Sequence, residues 1–109
     1  MIRSVSADGV RIGEELYPCP VGLTTEKVFD NWERKDIDEL AEGDFSTLLD
    51  ASPEVIVLGT GDSNRFPPRD LVFAMARRQV GFEAMDTTAA ARTYNVLAGE
   101  GRQVAAVLF

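Results

Sequence analysis

Two short stretches hold most of the groups in this chain that could do chemistry. The first, Gly59-Thr60-Gly61, follows the apolar run Val55-Ile56-Val57-Leu58. A glycine loop in that position lets backbone amides approach a phosphate, as in dinucleotide-binding proteins. The second stretch runs from Asp86 and Thr87 through Arg92 and Thr93 to Asn95, with Glu100 and Arg102 just beyond it. Asp86 or Thr87 would cap a helix whose free amides form an anion seat. Thr88, Arg92 and Asn95 recur at i, i+4 and i+7, a single stripe with Thr93 beside it. Thr and Asn are poor helix formers, so their placement points to side-chain hydrogen bonding more than to a solvated face. Together these residues could hold a small anion or metabolite, or serve an enzyme of unknown reaction, in a cleft between the Gly59 loop and the helix after Asp86. The same donors would serve equally well to tie the helix to that loop and to the final turn. The residues alone leave both readings open.

Catalysis finds less support. The dinucleotide fingerprint needs a third glycine where Asn64 stands, and the helix begins only after Phe66-Pro67-Pro68, too late for a tight turn. No Gly-Lys-Ser/Thr follows, which excludes a Walker phosphate loop. The chain has no histidine, so Ser-His and Cys-His nucleophile pairs and His-containing zinc sites cannot form. Its single cysteine, Cys19, lies between Pro18 and Pro20 and has no disulfide partner. Glu14 and Glu15 nearby oppose a reactive thiolate. Asp86 or Glu100 could act as an acid or base only beside a second poised group, and Tyr94 reads as a core aromatic whose hydroxyl reaches the surface. No catalytic residue, metal or cofactor is therefore expected.

The elements that must position these residues follow from hydrophobic spacing. Val55–Leu58 is apolar at every position, as in a strand covered on both faces. Leu71, Val72, Met75 and Ala76 recur at helical spacing, with Pro67-Pro68 in the first turn and Gly81 as the stop. Asp70 near the start and Arg77 and Arg78 near the end suit the helix dipole. Phe82–Met85 is the next strand, Thr88 to Ala98 the next helix with Ala90, Tyr94, Leu97 and Ala98 inward, and Val104–Phe109 the last strand. Gly99 or Gly101 can take the left-handed conformation that ends the helix. Strand-helix-strand-helix-strand means helices packed on a largely covered sheet, an α/β fold.

Residues before 54 are less regular. Val5 to Ile12 alternates around Asp8-Gly9, the pair that suits a tight hairpin. Leu16-Tyr17 and Val21–Thr24 read as short strands bounded by prolines, and Val28, Phe29 and Trp32 as packing residues. Residues 33 to 44 read as a solvated connection, and Asp44 as the N-cap of a short helix carrying Phe45, Leu48 and Leu49 inward. At 109 residues the chain suits one domain, 1–109, with no repeat or linker.

Charge excludes one class of partner. The formal net charge is −7, and all of the excess lies in the first fifty residues, with twelve acids against five bases. Phosphate backbones would repel such a chain, so nucleic acid is not an expected partner. No apolar run is long enough to span a membrane, so direct insertion is not expected either. Met1-Ile2-Arg3-Ser4-Val5 lacks a basic region followed by an apolar stretch, and the expected compartment is the cytoplasm.

The strand and loop at 55–61, the Phe66-Pro67-Pro68 helix start, Met85-Asp86-Thr87, Arg92-Thr93-Tyr94-Asn95-Val96-Leu97 and Glu100-Gly101-Arg102-Gln103-Val104-Ala105-Ala106 together resemble the Mth-like domain of unknown function. That family includes a mitochondrial complex I assembly factor and the adipogenesis-associated Mth-domain protein. Trp32 fits it too. The resemblance implies a three-layer α/β fold with a central mixed β-sheet, helices packed on it and an N-terminal β-hairpin layer. It also implies no established enzyme activity and, for some relatives, work in assembling membrane respiratory or export machinery. A protein partner is thus expected. Many relatives carry Cys where this chain has Ala91, so thiol chemistry there does not apply.

Overall fold

The computed structural model describes residues 1–109. The chain begins with three antiparallel strands, β1 (Ile2–Ser6), β2 (Gly9–Ile12) and β3 (Glu15–Tyr17), in the order β1-β2-β3. Next come the short strands β4 (Val21–Leu23) and β5 (Val28–Phe29). Two 3₁₀ turns (Ile37–Glu39 and Glu42–Phe45) then lead into the short helix α1 (Ser46–Leu49). The remainder is β6 (Val55–Gly59), α2 (Arg69–Arg77), β7 (Gly81–Met85), α3 (Thr87–Gly99) and β8 (Val104–Leu108).

Five strands make the central sheet in the order β5-β4-β8-β6-β7. β7, β6 and β8 are parallel, whereas β4 runs antiparallel to both β8 and β5, so the sheet is mixed. The order β7-β6-β8 also explains the layers. The first crossover moves outward to β7 and the second returns past β6 to β8. Crossovers of one hand that run in opposite directions put their helices on opposite faces.

The buried residues divide along the same lines. Val55, Val57, Val104, Ala106 and Leu108 face Ala90, Ala91 and Tyr94 of α3, with Ile2 and Val10 of the small sheet. Ile56, Leu58, Ala105 and Val107 face Leu71 and Met75 of α2, with Ile37, Leu40, Phe45 and Leu48. Every residue of β6 and β8 is buried, the expected result for strands covered on both sides.

Several local expectations need correction. The 33–44 stretch is more than a solvated connection, because its two 3₁₀ turns bury Ile37 and Leu40 over the sheet. Asp44 does not cap α1; its carboxylate accepts from the Ala41 amide and pairs with Lys35 at 3.1 Å. Pro68 precedes α2 as its N-cap, and Gln79, at φ 61°, takes the left-handed position expected of Gly81. The inward face of α2 is Leu71, Ala74 and Met75, which leaves Val72 and Phe73 exposed. In the first hairpin, Ala7 and Asp8 form the corner and Gly9 is already a strand residue, at φ 134°. A Cβ on Gly9 would lie 2.3 Å from the Tyr17 carbonyl oxygen, so glycine is needed for both its φ and its lack of bulk.

Candidate functional site

In doubly wound sheets, ligands bind beyond the carboxyl ends of the strands, where the strand order reverses. Here that place lies between β6 and β8, and the Gly59 loop leaves from it. The molecule fills the crevice with its own groups. Thr87, buried at the start of α3, accepts a hydrogen bond from the Gly61 amide at 2.8 Å. Its hydroxyl donates to the Phe109 carbonyl at 2.8 Å. The Thr87 amide in turn donates to the Gly61 carbonyl at 2.9 Å. Gly59 makes the close approach possible, since a Cβ there would meet Thr87 Oγ1, Thr87 Cα and Leu108 Cδ2 at 3.0–3.1 Å.

Thr60 closes the rest of the loop. Its buried hydroxyl donates to the Ser63 carbonyl at 2.6 Å and accepts from the Arg65 amide at 3.1 Å. The Thr60 amide donates to the Met85 carbonyl, joining the ends of β6 and β7. The anion seat proposed at the helix start is also in use. The Asp86 carboxylate accepts from the Ala89 amide at 2.9 Å, placing the chain's own negative charge at the positive end of the helix.

The rest of the polar stripe goes elsewhere. Asn95 Oδ1 accepts from the Ile2 amide at 2.9 Å, and Asn95 Nδ2 donates to the Ile2 carbonyl at 2.7 Å. One side-chain amide thus satisfies both backbone groups of an edge-strand residue, as a neighbouring strand would. The expected tie from Asn95 to the glycine loop and final turn is replaced by a tie to β1. Thr93 donates to Met85 Sδ at 3.3 Å. Tyr94 is buried, and its hydroxyl donates to the Thr24 carbonyl at 2.9 Å without reaching the surface. That burial pushes the phenol pKa up from its ordinary value.

Arg92 is exposed and lies beside a hollow bounded by Ile2–Val5, Thr88, Ala91 and Asn95, which includes no residue of the glycine loop. Glu100 and Arg102 sit beyond the opposite end of α3. Arg102 neither joins Arg92 nor pairs with Glu100; it forms an ion pair with Glu54 at 3.5 Å. Gly101, at φ 79°, ends the helix, with the Arg102 amide reaching the Leu97 carbonyl and the Gly101 amide the Ala98 carbonyl. The ten candidate residues therefore fall into three places. Gly59, Thr60, Gly61, Asp86 and Thr87 form one knot, which Thr93 adjoins through Met85. Arg92 and Asn95 lie against β1, and Glu100 and Arg102 lie at the far end.

Sequence reading missed Glu54. Its carboxylate accepts from the Gln103 amide at 3.1 Å, and its backbone carbonyl accepts from the Gly81 amide at 2.9 Å. One residue thus aligns the entries to β6, β7 and β8, and only the tertiary fold brings these positions together. At Cys19 the thiol pKa is raised chiefly by burial and only partly offset by Arg34, so the nearby glutamates are not the cause. No cluster of three or more acidic or cysteine side chains is placed to hold a metal ion.

Fold and site together define a three-layer α/β protein with a mixed central sheet and a switch-point crevice closed by its own threonine. The chain belongs to the family described as protein of unknown function (DUF498/DUF598), whose model matches residues 2–109. It is 32% identical over 102 residues to the 13 kDa major membrane protein of Francisella tularensis subsp. holarctica, covering 91% of this chain and 80% of that protein. It is 31% identical over 109 residues to human NADH dehydrogenase [ubiquinone] 1 alpha subcomplex assembly factor 3. That match covers 98% of this chain but only 59% of the human protein's length. A solution structure from Xanthomonas campestris, 34% identical, superposes with a TM-score of 0.88 over 99% of this chain and 82% of that one. A Bordetella pertussis protein described as an Mth938-like domain, 22% identical, shares the fold at a TM-score of 0.83 over 99% of this chain and 84% of its own. The expected fold is confirmed.

Proposed function

We propose that this chain is a non-enzymatic assembly or interaction factor for a membrane respiratory or export complex, acting from the cytoplasm by docking onto a protein partner. The observation that carries this reading is the match along 98% of the chain to a relative named as an assembly factor of NADH dehydrogenase. The surface of α2 supports it. Phe73 is 52% exposed, Val72 is exposed beside it, and Phe66 in the preceding loop is 88% exposed. Next to them, a hollow of about 470 Å³ separates α2 from the 3₁₀ turns. Leu40, Leu71, Phe73 and Ala74 line its apolar part, and Asp38, Glu39, Glu42 and Asp70 its acidic part. An apolar centre with a polar rim is the usual anatomy of a protein interface. No helix is long and apolar enough to cross a membrane, so in this reading contact with membrane machinery runs through the partner.

The test is deletion of the gene in its own organism, followed by native-gel measurement of assembled NADH dehydrogenase. The expected result is loss of the assembled complex and accumulation of subassemblies, restored by the wild-type chain but not by Phe73→Ser. Unchanged levels of the complex and of its subassemblies after deletion would overturn the respiratory reading.

A further inference from the structure

Six arginines in this acidic chain make no ion pair; Arg11 and Arg34 donate to backbone carbonyls, and Arg3, Arg69, Arg77 and Arg92 have no hydrogen-bond partner either. Two of them, Arg3 and Arg92, line one hollow of about 180 Å³ between β1 and the first half of α3. No Asp or Glu lines that hollow. Its remaining polar groups include the hydroxyls of Ser4 and Thr88, both exposed and neither hydrogen-bonded within the protein. A chain with a net charge of −7 has acids enough to neutralise every arginine, so two unneutralised guanidinium groups beside one hollow form a local positive field.

The arrangement is held in place. Asn95 clamps Ile2 through hydrogen bonds of 2.9 and 2.7 Å, which fixes the backbone of the adjoining Arg3 against α3. Arg92 lies one turn before Asn95 and Thr88 one turn before Arg92, so all three share a stripe of the helix. We infer that this hollow binds a compact phosphate group, with the Arg3 and Arg92 guanidinium groups as forked donors and the Ser4 and Thr88 hydroxyls completing its shell. The phosphate can be a free ion or the headgroup of an anionic lipid. This site is separate from the glycine-loop crevice and from the α2 surface.

The experiment is an amide NMR titration of the whole chain with inorganic phosphate at constant ionic strength, with chloride as the reference salt. Phosphate should shift the amides of Ser4, Thr88 and Arg92 saturably. Arg3→Gln and Arg92→Gln should each weaken binding about tenfold, while Arg69→Gln, on α2, should leave it unchanged. Both substituted residues are exposed, so folding is not at stake, and the dispersion of the spectrum verifies it. A second arm sediments the chain with phosphatidylglycerol vesicles and, separately, with phosphatidylcholine vesicles. Arginine-dependent cosedimentation with the anionic vesicles assigns the lipid headgroup, and phosphate shifts without it assign the free ion. Absence of saturable shifts at Ser4 and Thr88, or shifts that persist in both variants, would overturn the inference.

Discussion

The two helices on either face of the sheet are held by different means. α3 is stapled by polar side chains: Asp86 caps it, Thr87 ties it to Gly61 and Phe109, Thr93 to Met85, Tyr94 to Thr24 and Asn95 to Ile2. α2 has no side-chain N-cap, and none of its side chains from Arg69 to Arg77 hydrogen-bonds to the body of the protein; Leu71, Ala74 and Met75 hold it by apolar packing, with one exposed ion pair from its C-cap Arg78 to Glu42. A helix stapled at five residues is committed to structure along most of its length. A helix held by one apolar stripe keeps its outer face free, and there Val72 and Phe73 stand exposed. Unusual polar residues on a helix can therefore mark its anchoring, while the ordinary-looking helix keeps an exposed apolar face.

The contrast can be broken most severely at Thr87. Thr87→Val should cost about 3 kcal/mol in urea unfolding, because it leaves the Gly61 amide and the Phe109 carbonyl unpaired in a buried setting. A loss under about 0.5 kcal/mol would mean that the knot is not a staple. Asn95→Ala should cost about 2 kcal/mol and raise amide exchange in residues 2–17 more than in β6 or β8, since Ile2 loses both partners.

Tyr94→Phe should cost about 1 kcal/mol at neutral pH, for the lost bond to Thr24. Its pH dependence sharpens the contrast further. The folded-state phenol pKa is raised, so the unfolded state ionises first as pH rises. The wild-type chain should therefore lose stability as pH climbs from about 10 through the higher folded value, and Tyr94→Phe should lose less over that range. The smallest effect is expected on the other face, where Phe73→Ser should change stability by about 0.5 kcal/mol or less while abolishing partner docking.

Much of this was legible along the chain, for definable reasons. β6 and β8 are unbroken apolar runs and are buried at every position. On the unusual stripe of α3, Asn95 and the neighbouring Thr93 do make side-chain hydrogen bonds, whereas Thr88 and Arg92 stay exposed and make none. Asn95 finds Ile2 at a separation of 93 residues, and Glu54 meets Gln103 across 49, distances over which spacing conveys nothing. The face of α2 was misread because Val72 and Ala76 are as apolar as Ala74, and only packing reveals which of them turn inward. The hollow between Arg3 and Arg92 was hidden for the same reason as the Asn95 clamp, because β1 comes from the other end of the sequence.

The place of β8 in the sheet has a kinetic consequence. It is the only strand joining the early part of the sheet to the later part, pairing Val21–Leu23 with Ala106–Leu108 on one side and lying along β6 on the other. The connecting loop must close over more than eighty residues before those contacts repay its entropy. Folding should then be slow for so short a chain, in the millisecond-to-second range of domains dominated by distant pairings. Until β8 arrives, β4 and β6 each present an open edge to any neighbouring strand. Crowding during synthesis is thus the moment at which this protein is most exposed to aggregation.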